Sequence, residues 1–505
     1  MSAATPSDTI YALSSAPGRA AIAVVRISGP QVPDLLARLA PPVPAPRKAV
    51  VRQIRHPKSR AVIDRGLVVY FSERSSATGE ALLELHVHGG RAVLNAIFDA
   101  LSNFDRCRPA EAGEFARRAF DNGKLDLTAA EGLADLVDAE TEAQRRQAQR
   151  QADGALARLY EEWRAELIRA QGFVEAAIDF SDESDVGEST YLHAHAIAQN
   201  LNNQILAHVA GAYRGEIVRD GFRIVIAGPP NAGKSSLLNA LARRDAAIVS
   251  AEEGTTRDVI EVRLDIGGYF VVVSDTAGLR KTQSLVEQEG VRRTLARASE
   301  ADLVLWLQDG TAKTHSRPPP GLSEAAVQVV LTKADLGSCA DWVDRADTLN
   351  PAGMFQGATA NFASAIAVSA KTGQGLGELT QSIVTILEEY ASSAPDVVPT
   401  NARHRAALAD TAGHLEMFLR AGTPTAKENG QESEQEGAQR GSPQKALENG
   451  SQHALAGAIA HHLENGLELR AEDLRLAALA LGRITGRIDS EDVLDEIFSR
   501  FCIGK

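Results

Sequence analysis

A chain of 505 residues, 44% hydrophobic and 24% charged, has the length for two to four domains and the composition of an ordinary soluble protein. Its formal net charge of −13 speaks against a dedicated polyanion binder and leaves nucleic acid to a local basic patch or a second protein. Three scattered cysteines, Cys107, Cys339 and Cys502, are too few for a disulfide framework or a zinc site and fit a reducing cytoplasm. The start shows no secretory signal, and no apolar run is long enough to span a bilayer.

In chain order, residues 7–120 read first as an α+β block, with strands expected at 20–27, 66–71 and 82–88. The third alternates, with Leu83, Leu85 and Val87 on one face and Glu84, His86 and His88 on the other. Two histidines two apart suit metal, but with no third ligand nearby a polar strand face is the favoured reading. Gly89-Gly90 ends the strand, and a helix is expected over 91–101. A second helix is expected from residue 110 to a stop near Asn122-Gly123, and a third from Thr128. Residues 142–178 read as one amphipathic helix carrying Leu156, Leu159, Trp163, Leu167 and Ile168. Such helices pack into a bundle, here or against another copy. An acidic, turn-prone break follows at 179–185.

The stretch Gly228-Pro-Pro-Asn-Ala-Gly-Lys-Ser235 fits a phosphate-binding loop, two glycines spaced by four residues and then Lys and Ser. A β-rich run over 222–228 precedes it and a helical run over 236–243 follows, the context that aims backbone N–H groups and a helix N-terminus at phosphate. A chance glycine turn is the competing reading, and the motifs downstream weigh against it. Lys234 is expected on the β- and γ-phosphates and the Ser235 hydroxyl on Mg²⁺.

Strand–helix alternation continues to about residue 388, the logic of an α/β domain. Gly254-Thr-Thr-Arg-Asp258 precedes paired β-runs at 259–266 and 269–274, and Thr256 is placed to complete the Mg²⁺ shell. Asp275-Thr-Ala-Gly278 follows a strand, so Asp275 would hold Mg²⁺ through water and the Gly278 N–H would sense the γ-phosphate. In Thr332-Lys-Ala-Asp335 the carboxylate can accept from the two guanine N–H donors, a pair that adenine lacks. Ser369-Ala-Lys371 supports the base, and the set resembles that of the translation-factor-like GTPases. Thr332 stands where that set usually has Asn, which removes an amide that braces the loop. Leu279 cannot orient the attacking water as a Gln would, and Glu287 is the candidate in its place. A solvated carboxylate at a helix start is the alternative for Glu287. Arg257 and Arg280 could supply charge, though spacing requires neither.

Helical composition returns beyond 389, with amphipathic stretches at 401–419 and 463–484 around a polar, low-complexity run at 426–443. The picture is a nucleotide domain inserted into a helical domain whose halves flank it. The end, Arg500-Phe-Cys-Ile-Gly-Lys505, is partly apolar, and Cys502 is by default inert.

Further marks are Asp8-Thr-Ile, Gly18-Arg19, Val25-Arg-Ile-Ser-Gly29, Leu83-Glu-Leu and His88-Gly-Gly90. They continue through Gly113-Glu-Phe, Lys124-Leu-Asp-Leu127, Glu175-Ala-Ala-Ile-Asp-Phe180, the nucleotide motifs and the terminal Phe-Cys-Ile-Gly-Lys. On these marks, nearly end to end, the chain resembles the MnmE (TrmE) family of tRNA-modification GTPases. The 426–443 run and Thr332 are departures. The resemblance implies a multidomain fold: an N-terminal α+β folate-binding and dimerisation domain (1–121), an α-helical bundle domain (122–217 and 389–505, with a disordered loop at 425–452), and an inserted Ras-like α/β P-loop GTPase domain (218–388). It implies a homodimer that works with the flavoprotein MnmG, as a heterotetramer, to place an aminomethyl or carboxymethylaminomethyl group on C5 of the wobble uridine (position 34) of certain tRNAs.

By motif position the resemblance implies GTP or GDP contacts from Asn231, Ala232, Gly233, Lys234, Ser235, Ser236, Ser250, Thr255, Thr256, Asp275, Thr276, Ala277, Gly278, Thr332, Lys333, Asp335, Ser369, Ala370 and Lys371. Mg²⁺ would be held by Ser235 and Thr256, and an activating K⁺ by Asn231, Ser250, Glu252 and Thr255, stabilising charge as an arginine finger does. Glu287 matches the catalytic glutamate. Arg26, Glu84, Lys124 and Lys505 would contact 5,10-methylene- or 5-formyl-tetrahydrofolate, and Cys502 matches a cysteine proposed to help activate the uridine. The rival reading is a regulatory GTPase in ribosome assembly or signalling whose flanking domains are docking modules. GTP-dependent co-sedimentation with ribosomes, with normal tRNA nucleosides in a deletion strain, would favour that rival.

Overall fold

A computed structural model of the chain describes residues 8–179, 184–245, 261–275, 301–312, 326–336, 365–392, 397–420, 466–487, 491–499, 501 and 504. The chain divides into two compact units, one of residues 1–134, 151–198 and 413–505, the other of 135–150 and 199–412.

The first unit holds a six-stranded sheet of β1 (Thr9–Leu13), β2 (Ala20–Ser28), β3 (Ala49–Arg55), β4 (Val62–Phe71), β5 (Leu82–Gly89) and β6 (Cys107–Pro109), in the order β3-β4-β5-β2-β1-β6. Neighbours are antiparallel except for the β1–β6 pair. Period-two patterning sets the faces. Val25, Ile27, Leu83, Leu85 and Val87 are buried with Leu35, Leu36, Leu94 and Leu101 of the helices Val32–Leu39 and Arg91–Ser102. Glu84 and His86 keep partial access and His88 is exposed. Among the described residues no group of three metal-ligating side chains forms, and His88 Nδ1 lies 2.9 Å from Asp64 Oδ1.

The helix expected from residue 110 starts later. It runs Glu114–Asp121, because the Ala110 N–H still donates to the Tyr11 carbonyl in the strand pairing. Gly113 then turns at φ 69, where a Cβ would sit 2.2 Å from the Phe498 carbonyl oxygen. The single helix expected over 142–178 is two, Glu142–Ala152 and Ala155–Asp179, parted by Gly154 at φ 77. The helix Ala155–Asp179 packs along Leu467–Thr485, and Glu161 Oε1 accepts from Arg487 Nε at 2.6 Å. Tyr191, on the helix Ser184–Ala210, meets Phe418 of the helix Ala402–Arg420 with ring centroids 5.8 Å apart. Helices from both ends of the chain thus share one bundle. The run at 426–443 and the expected loop at 425–452 lie outside the described residues.

The second unit holds β7 (Phe222–Ala227), β8 (Glu261–Ile266), β9 (Tyr269–Asp275), β10 (Leu303–Asp309), β11 (Ala326–Thr332) and β12 (Ile366–Ala367), ordered β12-β11-β10-β7-β9-β8. All pairs are parallel except the β8–β9 hairpin, whose turn uses Gly267 and Gly268 at φ 63 and 87. Central strands such as β10 are buried up to their last residue, as a sheet covered on both faces requires. Leu237 and Leu241 of the helix Lys234–Arg244 and Leu379 and Ile383 of the helix Leu376–Ser392 complete the core. Strand order reverses around β7, so the carboxyl ends of β7 and β10 open onto the crevice where such sheets bind ligands.

Candidate functional site

The loop after β7 is built for close approach. Gly228 sits at φ 145 with the Leu307 carbonyl oxygen 2.4 Å from where a Cβ would stand, so only glycine lets the loop cross β10. Asn231 and Gly233 both turn left-handed, at φ 63 and 84, and Lys234 opens the helix. Lys234 Nζ donates to the adjacent carbonyls of Gly228 (3.0 Å) and Pro229 (2.9 Å) at the start of the loop it would share with a phosphate. Ala232 is buried, and Ser235 and Ser236 are exposed on the first helical turn.

At the ends of β11 and β12 the second half of the site closes on itself. Asp335 is exposed, and its Oδ1 accepts from the buried Ser369 hydroxyl at 2.7 Å, the bond that chiefly lowers its carboxyl pKa. The other oxygen of Asp335 keeps its acceptor capacity for a ligand. Ser369 is itself held by the Gln374 carbonyl and by Gly373 N–H, ahead of the exposed Lys371. Lys333, left-handed at φ 61, places Nζ 2.5 Å from Asp309 Oδ2, and this bond brings the Asp309 carboxyl down to about 2.

Thr332 corrects an expectation. The missing Asn was read as a lost brace, yet the buried Thr332 Oγ1 lies 2.8 Å from the Ala232 carbonyl oxygen and 3.1 Å from that of Gln308. One proton serves one carbonyl at a time, so a β-branched hydroxyl ties the base loop to the phosphate loop and to β10. Ser250, Glu252, Thr255, Thr256, Thr276, Ala277, Gly278 and Glu287 lie outside the described residues, as does the side chain of Asp275 at the end of β9.

In the first unit, register brings two predicted residues together. Arg26 on β2 stands opposite Glu84 on β5, and its Nε and Nη2 lie 3.2 and 3.0 Å from Glu84 Oε1. His86 Nε2 approaches the other oxygen at 3.4 Å, and the Arg26 guanidinium sits 6.0 Å from the Phe115 ring centroid. His86 was weighed only as a metal ligand and set aside, and Phe115 was not singled out as a site residue although it falls within the Gly113-Glu-Phe stretch that carries the family resemblance. Lys124 Nζ donates to the Arg74 carbonyl at 3.1 Å. The chain end is anchored nearby, since the Ser14 hydroxyl donates to the Gly504 carbonyl at 2.8 Å just beyond β1, where Ala12 pairs with Arg26. Cys502 and Lys505 lie outside the described residues. Burial pushes the Cys107 thiol up to about 12, so it stays protonated and unreactive.

Residues 9–124 match the family description "GTP-binding protein TrmE N-terminus", and residues 127–436 and 419–502 match "MnmE helical domain". The tRNA modification GTPase MnmE of Rhodopseudomonas palustris (strain BisB5) is 47% identical over 99% of this chain and 100% of its own length. That of Parvibaculum lavamentivorans is 46% identical over 99% and 100%, and that of Brucella canis 43% over 99% and 98%. With full-length relatives at this identity, a phosphate loop braced to its base loop, and the N-terminal and helical domains matched in order, the chain belongs to the MnmE (TrmE) family of tRNA modification GTPases.

Proposed function

We propose that this chain hydrolyses GTP to GDP and phosphate, in the cytoplasm, to drive aminomethyl or carboxymethylaminomethyl modification at C5 of the wobble uridine of certain tRNAs, as a homodimer with the flavoprotein MnmG. The observation that carries this reading is the pairing, in one chain, of the tethered guanine and phosphate loops with the Arg26–Glu84 pair beside the anchored chain end. We assign 1–121 to folate binding and dimerisation, 218–388 to the nucleotide, and 122–217 with 389–505 to the helices between.

Within this reading Lys234 exchanges one loop carbonyl for a phosphate oxygen, and Asp335, held by Ser369, accepts from guanine. The donor set fits a hard cation: the exposed hydroxyl of Ser235 would hold Mg²⁺ with Thr256, and the exposed, left-handed Asn231 would join Ser250, Glu252 and Thr255 around K⁺. These cations supply positive charge beside the phosphates. Glu287 orients the attacking water. Glu84, with one oxygen on Arg26, suits pterin N–H donors, and Arg26, Lys124 and Lys505 suit carboxylates of a 5,10-methylene- or 5-formyl-tetrahydrofolate. Cys502 would help to activate the uridine.

The test combines the purified protein with its flavoprotein partner, methylene-tetrahydrofolate, GTP and an unmodified tRNA. The reading predicts wobble-uridine product in K⁺ and sharply slower GTP turnover in Na⁺. No product, or equal turnover in both salts, contradicts the corresponding part.

A further inference from the structure

Between Asp34 and Asp64 the sequence contains no carboxylate, while Arg38, Arg47, Lys48, Arg52, Arg55, Lys58 and Arg60 fall in that stretch and Arg65 directly follows it. In a chain of net charge −13 this is a local inversion. The segment folds as the β3–β4 hairpin, with β3 at the free end of its sheet. Elsewhere arginines find carboxylates: Arg108 with Glu114 at 2.7 Å, Arg118 with Glu80 at 3.0 Å, Arg219 with Asp135 at 2.9 Å. On the hairpin, Arg47, Lys48, Arg52, Arg55, Lys58, Arg60 and Arg65 form no ion pair among the described residues. Asp64 accepts from the His88 N–H at 2.8 Å instead, and Asp99 Oδ2 lies 3.3 Å from His56 Nε2.

The cations are also held in place. His56 Nδ1 accepts from the N–H groups of Lys58 and Ser59 at 3.2 Å each, and Arg60 turns at φ 61. Arg55 Nη1 donates to the Arg60 carbonyl and Arg60 Nη1 to that of Arg38, both at 3.1 Å. Leaving so many like charges together on a clamped turn destabilises the free protein, and an anion of matching spacing removes that cost. From Ala49 to Arg55 the extended strand covers about 20 Å, a length that follows several successive phosphates. No Phe, Tyr or Trp lies between residues 44 and 69, and the imidazole of His56 is engaged by the turn N–H groups and by Asp99, so the surface offers charge and no stacking platform.

We propose that the β3–β4 hairpin is a docking surface for the sugar–phosphate backbone of RNA, contacting phosphates without reading bases. The choice of RNA over an acidic protein face rests on the tRNA-modifying reading above.

The test uses the full-length protein and an unmodified transcript of a wobble-uridine tRNA. In the variant Arg47→Ala/Lys48→Ala/Lys58→Ala/Arg65→Ala the four exposed side chains removed carry no hydrogen bond of the hairpin, so the fold stays intact. Each phosphate contact contributes roughly 0.7–0.9 to the slope of log K against log salt, so the slope falls by about 3 and affinity near 0.1 M salt drops by about tenfold or more. Intrinsic GTP turnover stays the same, and the Arg47→Lys/Arg65→Lys variant keeps the slope. An unchanged slope in the alanine variant overturns the proposal. A changed sedimentation coefficient with an unchanged slope assigns the patch to a second copy of the chain and also overturns it. Wobble-nucleoside formation by the wild type is scored separately: product with an unchanged slope refutes the docking surface alone, whereas no product refutes the reading beneath it.

Discussion

Thr332→Val removes one hydroxyl and keeps the shape of the side chain, so it isolates the tether between the two halves of the nucleotide site. In the wild type the buried hydroxyl lies 2.8 Å from the Ala232 carbonyl and 3.1 Å from the Gln308 carbonyl. The valine leaves the buried acceptor the hydroxyl serves without its donor, which costs about 1–3 kcal/mol, and the cost falls on the folded nucleotide domain. The tether joins two loops of the folded domain through buried groups, so most of the loss is one of stability and the remainder is looser positioning of the phosphate loop. The expectation is a clear drop in the urea midpoint of nucleotide-domain unfolding, with GDP affinity weakened by up to about tenfold. Thr332→Ser retains both properties, because it keeps the hydroxyl. A valine variant as stable as the wild type, with unchanged GDP dissociation, would refute the assignment of the brace to this hydroxyl.

Asp335→Asn swaps a carboxylate for an amide that can donate, so affinity shifts from guanine to xanthine nucleotides. Two charge-assisted bonds are lost, and competitive titration should show GDP weakened by about a hundredfold or more. Ser369→Ala leaves Asp335 Oδ1 without its 2.7 Å donor; a several-fold faster GDP release in stopped flow is expected, and an unchanged rate would remove Ser369 from the account. Glu84→Gln breaks the pair with Arg26 and should weaken 5-formyl-tetrahydrofolate binding by calorimetry by about tenfold or more, with GTP turnover unaltered. His208 is buried, and burial followed by the neighbouring His404 brings its pKa from 6.5 to about 4. Its neutral form is the folded form, so stability is full above pH 6.5 and declines as pH falls towards 4, by on the order of 3 kcal/mol in the limit. His208→Gln should flatten that decline in denaturation curves measured across the range, and an equally steep decline would exclude His208 as its source.

The order of elements was legible where local chemistry decides it. Alternation at 82–88 named the buried face of β5, and the glycine spacing of 228–235 identified a strand-to-helix phosphate loop. What was not legible depends on partners distant in sequence. Thr332 read as a lost amide because its actual acceptor, Ala232, is 100 residues away and reached only once β7, β10 and β11 lie side by side. Arg26 and Glu84 appeared as separate members of a ligand set, and only the β2–β5 register, across 58 positions, makes them a pair. Helix limits failed at glycines: Gly154 turns at φ 77 inside a periodic run, and Gly113 is required by the approach of the Phe498 backbone, 385 positions further along the chain.

Nucleoside mass spectrometry of tRNA tests the central claim most directly, using a strain that lacks this protein and is complemented with the wild type, Lys234→Ala or Asp335→Ala. The account predicts that the C5-modified wobble uridine disappears in the deletion, returns with the wild type, and stays absent with either variant. Full modification in the deletion strain, or its restoration by both variants, would contradict a guanine-nucleotide-driven modification.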